Sequence, residues 1–356
     1  MNTLISRWQQ LGSLVLACIL LVGLTACSQE TENPPVRLQG QIFGTFWLAT
    51  FPGNWSEEQA EQLEAGIIRE LEAVDASMST YRDSSELSRL NQAEPGTSVP
   101  VSQALMEVLQ LSQQIAEASN GALDVTVGGL VNLWSFGPEA RPEEIPSQEE
   151  LQDRLAAVGY QHLLLDAEQL QVTRTTDSYI DLSALAKGYA VDQVGTWLKS
   201  QGVNNFLVNI GGEVLVGGER KPGQPWRIGI ELPEATSQQA YHILPLINSS
   251  VATSGDYRNY YEIDGQRMSH TLNPVSGRPI DHQLASVTVE HPSNAVADAW
   301  ATAFMVMGRE EALKVAEQEG IRAIMITREE DSWKTWLSQP MQEHLGPELT
   351  QQLLSH

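Results

Sequence analysis

Cysteine is nearly absent from this chain of 356 residues, which holds only Cys18 and Cys27. Both lie close to the start, so a disulfide framework and a cysteine metal centre are excluded from the body. Basic residues are scarce: 21 Lys and Arg stand against 45 Asp and Glu, a formal net charge of -24. So acidic a body is repelled by phosphate backbones, which excludes nucleic acid as a partner. A nucleotide ligand stays open if a cation screens its phosphates. Long apolar runs are missing apart from residues 11–24. Repeats of solenoid length are missing, and no GxGxxG follows a strand pattern, so a Rossmann dinucleotide site is not expected.

The one apolar run is of signal-peptide length and short for a bilayer span. Arg7 precedes it, and it ends in Leu24-Thr25-Ala26-Cys27. That ending resembles a lipoprotein lipobox, which predicts cleavage before Cys27 and lipidation of its thiol. Residues 1–26 are then a signal peptide and 27–36, polar and Pro-containing, a tether. Lipid chains would hold the protein to a membrane while its body stays aqueous. The expected place is the bacterial cell envelope, facing the periplasm. Ser28 is no strong retention signal, and the inner membrane is the expected side.

Beyond the tether, patterning predicts strands in residues 36–51 and a helix over 56–78. Ser56 caps that helix, Glu57 and Glu58 suit its positive end, and Leu63, Ile67, Leu71 and Val74 form its apolar stripe. Further helices are predicted at 84–91, 102–119, 185–199, 294–307 and 310–317, with a helical turn at 128–136. Strands are predicted at 122–127, 226–231, 242–247, 250–253, 257–263, 284–289 and 321–326, with two short strands within 163–180 and strands joined by tight turns within 206–217. Residues 137–148, with Pro138, Pro142 and Pro146, read as a loop or flap. Strands come in groups and do not alternate strictly with helices, which argues for an α+β fold with antiparallel sheets.

Three segments carry chemistry. In Asp181-Leu182-Ser183-Ala184-Leu185-Ala186-Lys187-Gly188, a carboxylate ends a strand and a tight turn brings a lysine near it. The same pattern also suits an N-capping Asp and a solvated Lys. In Ser269-His270-Thr271-Leu272-Asn273-Pro274, a histidine heads a fixed loop, where it can serve as a general base or satisfy a turn carbonyl. In Ala297-Asp298-Ala299-Trp300-Ala301-Thr302, a carboxylate and a hydroxyl sit four apart on one helix face. Such hard oxygen ligands suit Mg2+, and they also suit a cap with a Thr bonded back to a carbonyl.

Together these segments resemble the ApbE family of FAD:protein FMN transferases. Further matches are Phe43-Gly44-Thr45, Met78-Ser79-Thr80-Tyr81-Arg82, Ala122-Leu123-Asp124-Val125-Thr126-Val127-Gly128, Leu130-Val131-Asn132-Leu133-Trp134, and Asn209-Ile210-Gly211-Gly212-Glu213. The resemblance runs in order over residues 37 to 335. It implies a T-fold-like α+β domain at 37–340, of two intimately joined subdomains with the flavin between them, and a C-terminal tail at 341–356. It also implies that Phe43, Tyr81, Ala122, Leu123, Asp124, Asp181, Lys187 and Leu272 line the FAD site. Phe43 stands where many members have Met, and Asn273 where many have Asp. Mg2+ would be held by Asp298, Thr302 and the backbone carbonyl of Ala184.

The implied reaction is Mg2+-dependent transfer of FMN from FAD to a Thr or Ser of a target protein, with release of AMP. His270 is the expected base, Lys187 the expected partner of the phosphates, and Asp181 a contact to adenine or ribose. The implied acceptor is a flavin-carrying subunit of an envelope redox system. Two alternatives share the site: an FAD pyrophosphatase that releases FMN and AMP, and a lipoprotein that only binds flavin.

Overall fold

The structure, a computed structural model, describes residues 34–139, 141–234, 239–257, 259–330 and 332–355. Cys27 and the signal segment lie outside these residues. Pro35–His356 hold together as one unit.

An eight-stranded sheet forms its frame: β1 (Val36–Ile42), β2 (Thr45–Phe51), β3 (Phe206–Ile210), β4 (Glu213–Gly217), β5 (Ser249–Gly255), β6 (Leu284–His291), β7 (Arg322–Arg328) and β8 (Trp333–Leu337). Spatial order follows chain order, and each neighbouring pair is antiparallel. The α+β expectation is therefore met. Long insertions leave this meander at fixed points. The segment between β2 and β3 carries helices α1 (Glu57–Met78), α2 (Glu86–Gln92), α3 (Gln103–Ala118), α4 (Gly128–Leu133), α5 (Gln148–Leu155) and α6 (Ala186–Ser200). After β6 come α7 (Asn294–Met307) and α8 (Arg309–Glu319), and α9 (Gln339–Leu354) ends the chain.

Side chains alternate across a strand, and the sheet uses both faces. Ala252, Val287, Ala323 and Met325 join the large core with Ile67, Leu71, Val191, Val194 and the alanines of α7. Val251, Ile324 and Ile326 point the other way, against Ile228 and Leu244 of the hairpin Trp226–Glu231/Ala240–Leu246 and against Met341 and Leu353 of α9. Burial on both sides explains why every residue of β6 from Leu284 to Glu290 is buried, Ser286 and Thr288 included.

Helix α1 forms as its sequence predicts: Ser56 and Gln59 make a reciprocal capping box, and the stripe from Leu63 to Val74 is buried. Helix α7 is buried nearly all round, with Ala297, Ala299, Ala301 and Ala303 fully covered. Small side chains there let the backbone of α6 approach it. A Cβ on Gly188 would lie 2.5 Å from the carbonyl oxygen of Asn294.

Two expectations differ from the structure. Residues 122–127 make turns and no strand, because Asp124 takes the backbone N–H of Thr126 and that of Tyr160 onto its side chain. Residues 341–356, expected to be a tail outside the domain, contribute most of α9, which covers the outer face of the sheet. The positive φ of Gly346 followed by Pro347 kinks that helix and breaks up its apolar stripe.

Candidate active site

The three segments meet. A cavity of about 460 Å3 is walled by Tyr81, Ala122, Leu123, Asp124, Asp181, Ala184, Lys187, His270, Leu272, Asp298 and Thr302. That volume lies within the range typical of small-ligand sites, about 300–1,000 Å3. Phe43 is the exception among the predicted contacts. It sits in the β1–β2 turn with φ 53°, packed against the core, and does not line the cavity.

Each wall has a local cause. Asp181 N–H donates to the Val125 carbonyl at 2.8 Å, which ties the 181 segment to the 122–127 turns. Asn91 exchanges two hydrogen bonds with the backbone of Ile180. Asp181 Oδ1 accepts from the backbone and hydroxyl of Ser183, shaping the turn that leads into α6. Both oxygens of Asp124 are engaged by protein donors: Oδ1 by Thr126 and Oδ2 by Tyr160. Burial raises the pKa of Asp124 despite these bonds.

The three oxygens expected to hold Mg2+ come from residues that line the same cavity. Gly188 N–H donates to Asp298 Oδ2 at 3.1 Å and not to Ala184, four residues earlier. Among the described residues no backbone N–H donates to the Ala184 carbonyl. An unclaimed carbonyl, a buried carboxylate and the Thr302 hydroxyl therefore face one cavity. Burial drives the Asp298 pKa up, and the nearby Lys187 charge opposes it. A hard divalent cation bound there would offset the cost of burying that carboxylate. Among the described residues no group of three His, Cys, Asp or Glu side chains is placed to hold a metal ion, and a Mg2+ site of this type does not need one.

His270 is held at its ring. Its Nδ1 lies 2.9 Å from the backbone oxygen of Asn259. A carbonyl only accepts, so Nδ1 carries the proton and neutral Nε2 keeps its lone pair. Burial lowers the His270 pKa, the Asn259 bond pushes it up, and Lys187 adds to the lowering. The imidazole is therefore neutral, as a base requires.

The ApbE family model matches residues 43–325. The chain belongs to the ApbE family. It is 39% identical over 342 residues to the FAD:protein FMN transferase of Escherichia coli (strain K12), spanning 94% of this chain and 97% of that one. It is 41% identical over 331 residues to the FAD:protein FMN transferase of Vibrio cholerae, with 93% and 98% covered. Among solved structures, the Pseudomonas stutzeri flavinyl transferase ApbE in its apo form matches with a TM-score of 0.81 at 37% identity, over 89% of this chain and 98% of that one. The flavin transferase ApbE from Vibrio cholerae matches with a TM-score of 0.80 at 40% identity, over 87% and 98%.

Around the ApbE-type cavity, further residues line it or support its walls in ways the sequence does not reveal. Glu213, 1% exposed, forms an ion pair with Lys187. Its motif is conspicuous in the sequence, but its partner is visible only in three dimensions. Ser254 shares a hydrogen bond with Thr302, their hydroxyl oxygens 3.1 Å apart. Asp192, on α6, accepts from the Ser293 hydroxyl and from the N–H groups of Asn294 and Ala295, so it caps the helix that carries Asp298. Asn273 Oδ1 accepts from the N–H groups of Val275 and Ser276. An Asp would accept the same two bonds, so the departure from the family pattern leaves the loop intact.

Proposed function

We propose that this chain transfers FMN from FAD to a Thr or Ser hydroxyl of a target protein, forming a phosphoester and releasing AMP, in a Mg2+-dependent reaction. One observation carries the reading: neutral His270, Lys187 and the Asp298–Thr302–Ala184 oxygen set line a single cavity. A site that only stored flavin would have no use for a base opposite a metal-ligand set.

The acceptor hydroxyl oxygen attacks the FMN phosphorus and forms the new P–O bond. The P–O bond to the AMP phosphate breaks, and AMP leaves with the bonding pair. His270 Nε2 takes the hydroxyl proton. The Lys187 ammonium, oriented by Glu213, offsets charge on the phosphates. Asp181 contacts the adenine or ribose, and Tyr81 stacks on a ring of the cofactor. Bound by Asp298, Thr302 and the Ala184 carbonyl, Mg2+ would neutralise charge on the pyrophosphate and on the departing AMP.

We also assign the chain to the bacterial envelope, lipid-anchored at Cys27 and facing the periplasm, where the acceptor is a subunit of a redox complex. Palmitate labelling that persists after Cys27→Ser would refute the anchor. The transfer itself is tested by following FAD, AMP and acceptor mass together. A mass gain equal to FMN on the acceptor supports transfer, whereas free FMN and AMP alone support the pyrophosphatase.

A further inference from the structure

Residues Tyr260–Ile263 and Gln266–Ser269 form a two-stranded hairpin separate from the main sheet. Its two-residue turn, Asp264-Gly265, has φ of 51° and 75°, as a type I′ turn requires. The turn makes Ile263/Gln266 a hydrogen-bonded pair. At the other end His270 N–H donates to the Asn259 carbonyl at 3.2 Å. Bonded and non-bonded pairs alternate in an antiparallel ladder. With 263/266 and 259/270 bonded, the pairs Tyr260/Ser269 and Glu262/Arg267 are the non-bonded ones.

The N–H and C=O groups of Tyr260 and Glu262 therefore point away from the partner strand. Among the described residues nothing hydrogen-bonds to them. Glu262 is exposed and Tyr260 half-buried. The opposite edge is shielded: Ser269 is buried, and Arg267 is held by Asp256. The other face of the hairpin is fixed too. Tyr261 stacks on Phe136 at 5.1 Å and donates its hydroxyl to the Trp134 carbonyl.

The open edge leads directly to the reacting residues. Asn259, next to Tyr260, lines the cavity, and its carbonyl binds His270 Nδ1. We propose that the free edge of Tyr260–Ile263 is the docking strand for the acceptor protein. An extended acceptor segment would add to it as a third strand and deliver its hydroxyl residue at His270. The occupant follows from the chemistry: the acceptor hydroxyl belongs to a polypeptide and must reach a recessed base, and an extended backbone can use this edge whatever its side chains. The inference rests on the transferase reading.

The test uses the full-length protein in detergent with FAD, Mg2+ and a panel of synthetic ten-residue peptides, each with one central Thr. Labelling is read as FMN mass gain on the peptide. Glu262→Pro removes one outward N–H and takes nothing from the hairpin ladder. Its KM for the best-labelled peptide should rise by about tenfold, with FAD affinity unchanged. An unchanged peptide KM in a folded variant overturns the docking strand. Should the variant fail to fold, N-methylation along the peptide decides: every second position should raise KM while those between do not. Absence of that alternation overturns the proposal. If the wild-type protein labels a whole acceptor protein but no peptide, the docking strand is overturned and the transferase reading stands; if it labels neither, both fall.

Discussion

Gly188 and Asp298 are joined by one hydrogen bond, backbone N–H to Oδ2 at 3.1 Å, across 110 residues of chain. That bond organises the site. It diverts the Gly188 N–H from Ala184, and it fixes the carboxylate rotamer of α7. It is also geometrically tight, because the α6 backbone lies against Asn294.

Gly188→Ala tests the contact. The added Cβ meets backbone atoms of Asn294 and Ala295 at 2.5–2.8 Å, so α6 and α7 must separate. The expected cost is about 1–3 kcal/mol of stability, read by urea denaturation, together with weaker Mg2+ binding. A variant with unchanged Mg2+ affinity would show that the approach of the helices does not set the ligand geometry.

Asp298→Ala removes the one carboxylate among the three proposed ligands. Mg2+-dependent turnover should fall by at least about a hundredfold, and chelation of the wild-type protein should mimic the variant. Activity that survives either treatment excludes the metal assignment.

His270 sets the acid limb of the pH profile. Burial places its pKa below the ordinary 6.5. Protonation removes the lone pair that the reaction needs. The midpoint of the acid limb should therefore lie below pH 6.5. His270→Ala should slow transfer by about 100- to 10,000-fold with little change in FAD affinity. An acid limb with its midpoint above pH 6.5 contradicts the neutral-base assignment.

The ion pair of Lys187 with Glu213 joins a partly exposed lysine to a buried carboxylate. Lys187→Ala strands that charge and should cost about 3 kcal/mol in stability. Adding Glu213→Gln should restore much of the stability but not the activity, because the ammonium is still missing. Recovery of both would reduce Lys187 to a structural role.

Much of this site is legible in the sequence because its residues cluster in short segments with their own geometry. The four-residue spacing of Asp298 and Thr302 places both on one helix face, and the helix forms over 294–307 as its pattern predicts. Glu213, Ser254 and Asp192 are not legible in the same way. Each acts through a partner on a different element, and no local periodicity encodes that distance. The turns at 122–127 look like a strand because Val125 and Val127 alternate with polar residues, whereas the bonds of Asp124 decide their conformation. Phe43 matches the family by position in the chain, but the β1–β2 turn holds it partly buried against the core and out of the cavity lining.

The most direct test is intact-mass spectrometry of an acceptor protein after incubation with the full-length chain, FAD and Mg2+, with AMP measured in the same tube. A mass gain equal to FMN, one AMP released per acceptor labelled, and loss of both with Asp298→Ala is the predicted result. AMP and free FMN formed in equal amounts, with no acceptor labelled, would contradict transfer and make the protein an FAD pyrophosphatase.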